Sequence, residues 1–187
     1  MSAAKEIIDY NKYKKEIDHW IILKGETKYL EFVNLLKDND EEVYWEKVSD
    51  TYRYDKRLLV NMFKYLSFFE EFLRAQVWNI TGEDYTQWEK KCLIKIIEKV
   101  VSLKSEITYH EFSVENLASN KNQINYLRNR VSHNKIILTS IYEDADIKAI
   151  LINLKNTLPK SYKQGFTTDI NSCALNLKVS EKLKIEI

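Results

Sequence analysis

An all-α fold is predicted by three features of the 187-residue sequence. Glycine occurs three times and proline once, so the two strongest interrupters of regular structure are nearly absent. Lys, Glu, Leu and Ile are abundant, and apolar residues recur at three-and-four spacing, most clearly from Asp55 to about Ile80. A chain of this length buries a substantial core, and no repeat, low-complexity segment or linker divides it, so residues 1–187 are read as one domain.

The elements follow in order. From about Ala3 to Leu23, the apolar residues Ile7, Ile8, Ile17, Trp20, Ile21 and Leu23 predict a helix that Gly25 stops. Thr27 to Lys37 is a second helix, ended by Asp38-Asn39-Asp40. Asp40 caps a third through Ser49, with Glu41 and Glu42 at its positive end. Leu58, Leu59, Met62, Phe63, Leu66, Phe69, Leu73 and Val77 give the Asp55–Ile80 helix a broad buried face, with Glu70 and Arg74 four apart as an exposed pair. Tyr85 to Lys104 is the next helix, and the polar run Lys104 to Asn122 is read as a connector with one short turn around Ser113 to Leu117. His110 within that run is expected to be partly exposed, with no metal or catalytic companion. A helix from about Lys121 into Arg130 or beyond buries Ile124, Leu127 and Val131. Asp144 or Asp146 starts a helix through Leu154 that Pro159 closes. Further helix is expected in Lys160 to Cys173, interrupted at Gly165, and in Leu175 to Leu183.

The formal net charge of +1 provides no whole-protein field for nucleic acid or an acidic membrane, so any anionic partner must meet a local patch. Cys92 and Cys173 form no Cys-x-x-Cys pair and read as ordinary buried thiols of a reducing compartment. Met1-Ser2-Ala3-Ala4-Lys5-Glu6 lacks an apolar signal region and no apolar run approaches a membrane span, so a soluble cytoplasmic protein is expected.

Chemistry-bearing residues concentrate in Tyr126-Leu127-Arg128-Asn129-Arg130-Val131-Ser132-His133-Asn134-Lys135. From Asn116 through Tyr142 there is no Asp or Glu, while Lys121, Arg128, Arg130 and Lys135 are cationic; this patch is a candidate phosphate-backbone contact or a solvated helix face. Asn125, Asn129 and His133 share a helical face, whereas Arg128 and His133, five apart, would lie about 140° from each other on an ideal helix. Three arrangements reconcile them: a helix that distorts or ends before His133, a cleft that Arg128 enters from the flank, or two copies completing each other's site across a symmetric dimer. The residue types suit RNA phosphodiester cleavage. Histidine can move the 2′-hydroxyl proton, and arginine can stabilise the charged phosphorane. No His, Cys or carboxylate cluster at ligand spacing calls for a metal or cofactor.

Arg128-Asn129-Arg130-Val131-Ser132-His133 resembles the Arg-x(4 to 6)-His motif of HEPN domains, in the Arg-Asn-x-x-x-His form common among their ribonucleases. The flanks Leu127 and Asn134-Lys135-Ile136 look like the Abi-like, abortive-infection branch. Glu70-Glu71-Phe72-Leu73-Arg74 is similar to the Glu-x-x-x-Arg pair that often faces the motif helix in that family, and Asp146 to Cys173, with Leu158-Pro159 and Tyr162, resembles its continuation. The resemblance covers about residues 55–173 and implies a HEPN-like helical bundle with additional N- and C-terminal helices.

It further implies a metal-independent endoribonuclease of phage defence or of toxin type. His133 would be general acid or base, Arg128 would bind and stabilise the scissile phosphate, and Asn129 would orient His133 or a phosphate oxygen. Glu70, Arg74 and Ser132 would support them, while Lys121, Arg130 and Lys135 would hold RNA. The product would be a 2′,3′-cyclic phosphate and the working form a homodimer. An antitoxin or regulatory partner is implied, although Lys135 stands where toxins with a nucleotidyltransferase partner usually carry Tyr. Two other readings are a non-catalytic HEPN-like module that binds RNA, a nucleotide or a protein, and a structural helical subunit.

Overall fold

A computed structural model describes residues 6–39, 41–83, 85–109 and 111–187. Among these residues are eight α-helices and one two-stranded hairpin, so the fold is all-α as the composition predicts. The expectations that rest on Asp40, His110 and the first five residues lie outside the described residues. The chain divides into two compact units, one of the residues through Arg57 with Cys173–Lys184, the other of Leu58–Ser172 with Ile185–Ile187.

The first unit holds α1 (Tyr10–Lys24), α2 (Glu26–Asp38) and the beginning of α3 (Trp45–Thr81). Gly25 separates α1 from α2 at φ 88°, a value that costs glycine least. Ile17, Phe32, Val33, Leu36, Val48 and Tyr54 are buried here. The helix expected to end at Ser49 does not stop. α3 begins at Trp45 and runs 37 residues, and Asp50, in the polar run that reads as a break, is held inside it by two partners. Asp50 accepts from the Arg53 guanidinium at 3.0 Å and from the Lys178 backbone amide at 2.8 Å. The helix expected over Leu175 to Leu183 is absent. Those residues bond to other elements instead: Arg57 donates to the carbonyls of Cys173 and Leu175, and Ser180 to Glu41. Cys173 is buried as expected, but Cys92, in the second unit, is exposed.

The second unit contains the rest of α3, then α4 (Tyr85–Glu89), α5 (Leu93–Ser102), α6 (Val114–Ser132), α7 (Ile147–Thr157) and α8 (Lys160–Asn171). Leu58, Met62, Phe69, Leu73 and Val77 form the buried α3 stripe that the spacing predicts. The helix expected over Tyr85–Lys104 is broken at residues 90–92. The Trp88 carbonyl freed there accepts from Arg74 Nε at 3.1 Å and from the Lys91 amide at 3.2 Å, so it is not left unpaired by the break.

α6 starts well before the expected Lys121. Ser113 caps it, its hydroxyl accepting from the Asn116 amide at 3.1 Å. Val114 and Leu117 carry its buried stripe into the Asn-rich first half, and tertiary bonds add to it. The Asn116 side chain donates to the Asn156 carbonyl, and Gln123 accepts from Asn153 at 2.8 Å, tying α6 to α7 in antiparallel sense. Asp146 caps α7 by accepting from the Ala149 amide. Between α6 and α7, β1 (Ile141–Tyr142) pairs antiparallel with β2 (Ala145–Asp146), a hairpin the periodicity does not announce. α8 passes through Gly165 without interruption. A β-carbon at Gly165 would lie 2.8 Å from the Tyr65 hydroxyl, so this glycine makes room rather than a break.

Candidate functional site at the end of helix α6

The buried stripe of α6 is the one expected: Ile124, Leu127 and Val131 are at most 5% exposed. It fixes where every neighbouring side chain can point. Arg128 and Arg130 flank the stripe on opposite sides, while Asn129 and His133 lie near the solvent pole, about 40° apart on an ideal helix. Accordingly Asn129, Ser132, His133 and Lys135 are exposed and the two arginines are half-buried.

The helix runs without distortion to Ser132 and ends there, just before His133, which is the first of the three arrangements expected. His133 is itself the C-cap, with φ −94° and ψ 13°. Asn134 then adopts φ 51°, the left-handed conformation that terminates helices. The Asn134 amide donates to the Val131 carbonyl at 3.1 Å and the Lys135 amide to the Arg130 carbonyl at 2.9 Å. This pair of bonds is the Schellman arrangement, which satisfies the last carbonyls and reverses the chain. The motif by itself gives Asn134 no role. The available signal was its type, since Asn is the commonest residue after glycine to accept that conformation.

The candidate residues separate into two groups. Among the described residues the side chains of Arg128, Asn129, His133 and Lys135 have no hydrogen bond or ion pair. By contrast, Arg130 donates to the Ile136 carbonyl and to Thr139 Oγ1, and its guanidinium lies 5.7 Å from the centre of the Tyr126 ring. It therefore clamps the loop that leaves α6. Ser132 is also occupied, donating to the Arg128 carbonyl one turn back at 2.8 Å.

The remaining predicted residues share no hydrogen bond or ion pair with Arg128 or His133. Lys121 is 12 residues before His133, about 18 Å along the axis. It adds to the pull that holds Glu98 below the usual carboxylate range, a shift caused first by the Lys95 hydrogen bond. Glu70 and Arg74 do pair, at 3.3 Å, but each side chain is only 15% exposed, so this is not the surface pair expected. Arg74 also holds the Trp88 carbonyl, and neither residue bonds to Arg128 or His133.

Among the described residues no group of three or more His, Cys, Asp or Glu could hold a metal ion, and no helix is long and apolar enough to cross a membrane. Comparison with protein-family models, curated proteins and solved structures finds no match.

Proposed function

We propose that the protein is a metal-independent endoribonuclease of the HEPN, Abi-like kind, acting in phage defence or as a toxin. The observation that carries this reading is the separation within Arg128–Lys135. Arg128, Asn129 and His133 are uncommitted side chains, while Arg130 and Ser132 are consumed by structure. Among the described residues no hydrogen bond or ion pair uses the three uncommitted side chains, and together they supply what 2′-hydroxyl attack on a phosphodiester needs.

His133 takes the 2′-hydroxyl proton or returns one to the 5′-leaving oxygen. Arg128 offers a permanent fork to the phosphate oxygens as charge develops. Asn129 orients His133 or a phosphate oxygen, and Lys135 adds sequence-independent attraction for the backbone. The products are a 2′,3′-cyclic phosphate and a 5′-hydroxyl. Because Arg128 and His133 lie on different sides of one helix, the reaction needs a second surface, and a second copy of α6 in a homodimer supplies it.

The test is cleavage of a labelled single-stranded RNA in EDTA by the wild type, Arg128→Ala and His133→Ala, each checked by circular dichroism. Both variants are expected to lose cleavage and keep their helicity. Retained cleavage in either one sinks the assignment. In cells, toxic expression relieved by His133→Ala is the corresponding result, with an antitoxin or regulatory partner restraining the wild type.

A non-catalytic RNA-, nucleotide- or protein-binding module is the second reading. It is favoured by the exposure of His133 on the outside of a helix end, where one copy alone does not exclude water. Salt-sensitive RNA binding with no cyclic-phosphate product would identify it.

A further inference from the structure

Within the second unit, the end of α3 and the segment between α5 and α6 border a surface cavity of about 540 Å³, inside the range of about 300–1,000 Å³ typical of small-molecule sites. Gln76, Asn79 and Ile80 line it from α3, and Glu106, Ile107 and Tyr109 from the segment. On an ideal helix Gln76, Asn79 and Ile80 fall within about 100° of one another, so one side of α3 presents both amides. The Tyr109 ring is a held wall. It lies 5.8 Å from the Phe72 ring, its hydroxyl donates to Glu111 at 3.2 Å, and Phe72 is packed in turn on Phe69 and Phe112.

The lining selects its ligand by charge and by donor pattern. Among the described residues the side chains of Gln76, Asn79 and Glu106 have no hydrogen bond or ion pair, and no lysine or arginine lines the cavity. Lys104, two residues from Glu106, is paired with Glu115 at 2.8 Å. An anion entering here meets a carboxylate with no cation to offset it. A flat, uncharged group rich in N–H donors meets an acceptor in Glu106, two amides that donate and accept, and an aromatic face. Guanine has that pattern. Its N1–H and 2-amino group are adjacent donors that one carboxylate accepts together, while O6 and N7 accept from amide nitrogens. Adenine presents one amino donor, which suits the amides and leaves Glu106 unused. Stacking on an aromatic side chain with hydrogen bonds to the base edges is how proteins read unpaired bases.

We infer that the cavity lined by Gln76, Asn79, Glu106 and Tyr109 is a binding site for a guanine base, distinct from the Arg128–His133 stretch. Glu106 accepts from N1–H and the 2-amino group, Gln76 and Asn79 donate to O6 and N7, and the base lies against Tyr109. The shared chemistry is guanine, carried either by a free nucleoside or nucleotide or by an unpaired position in RNA. Tyr109 comes just before α6 and His133 just after it, so a helix of 19 residues, about 28 Å long, lies between them. The inference does not depend on ribonuclease activity.

The experiment uses the full chain carrying His133→Ala, so that RNA survives and catalysis is not read. Calorimetric titration with guanosine and with adenosine forms one arm. Fluorescence anisotropy of a labelled oligouridine carrying a single central guanosine or adenosine forms the other. Each is repeated with Glu106→Gln and with Asn79→Leu, both at exposed positions, after thermal melts show that the variants fold. A bidentate contact discriminates between bases by about tenfold or more, so Glu106→Gln is expected to lose about that factor of guanine preference. A saturable guanosine isotherm tighter than that of adenosine, and weakened in Glu106→Gln, assigns the site to a free nucleoside or nucleotide. No guanosine isotherm, with a guanine preference in RNA that Glu106→Gln removes, assigns it to an unpaired base in RNA. Equal binding of the guanine and adenine probes in both arms, binding of neither, or a preference that survives in both variants overturns the inference.

Discussion

The placement of His133 hangs on one backbone conformation, and that can be tested by substitution at Asn134. At φ 51° a residue with a β-carbon costs about 1–2 kcal/mol over glycine, with asparagine partly excused and β-branched residues penalised most. Two terminal hydrogen bonds, from the Asn134 and Lys135 amides, depend on that conformation. The expected order of stability is therefore Gly at or above Asn, then Ala about 0.5–1 kcal/mol lower, then Val about 2 kcal/mol lower. For a chain of this size the valine variant should melt about 4–8 °C below the wild type. Urea denaturation followed by far-ultraviolet dichroism measures the series. Under the proposed ribonuclease activity, cleavage should follow the geometry as well as the stability. Asn134→Gly keeps wild-type rates, and Asn134→Val, assayed well below its melting point, loses at least an order of magnitude because His133 no longer ends the helix. A valine variant as stable as the wild type, or an alanine variant more stable than the glycine one, would refute the reasoning.

Other substitutions test other parts of the structure. Gly165→Ala improves helix propensity by about 1 kcal/mol but drives a β-carbon to 2.8 Å from the Tyr65 hydroxyl, so a net loss of about 1–2 kcal/mol is expected. Adding Tyr65→Phe should recover most of that loss, and denaturation of both variants that shows no coupling would contradict the packing argument. Asp169 is held below its usual range, first by the Lys64 hydrogen bond and also by Tyr65. Its folded value is lower than its unfolded one, so its contribution is present above about pH 4 and fades as pH falls through the depressed value. Asp169→Asn should flatten that acid limb in melts across pH 2–5, relative to the wild type. Arg130→Met should cost about 2 kcal/mol through its lost bonds to Ile136 and Thr139, whereas Arg128→Met should cost about 0.5 kcal/mol or less. Equal losses in denaturation would deny the division between the two arginines.

Periodicity was most informative where burial alone shapes a helix. Leu58 to Val77 and the Ile124–Leu127–Val131 stripe stand where three-and-four spacing puts them, because an apolar face has few other places to go. It was least informative where a polar group has a distant partner. Asp50 and Thr51 resemble a helix break until the Lys178 amide, far away in sequence, is placed on Asp50. The Asn-rich start of α6 reads as a connector until Asn156 and Asn153 are available to bond it. Gly165 carries the opposite error, since a residue that usually marks flexibility is kept small by one hydroxyl.

The candidate site divides along the same line. Residue types and spacing suffice to single out Arg128–Lys135 and to show that Arg128 and His133 cannot share a face. They do not distinguish Arg128 from Arg130, which differ by two positions and share one charge. That distinction depends on which side of the buried stripe the departing loop returns along. The chain reverses at Asn134 and brings Ile136 and Thr139 back on the Arg130 side, so Arg130 is captured and Arg128 is left open. A turn residue therefore performs two tasks: it stops α6 at His133 and it decides which arginine is bonded to the departing loop and which is left open. If both arginines were required for cleavage to the same degree after correction for stability, the loop would be holding a ligand-binding group, and the selection attributed to Asn134 would be wrong.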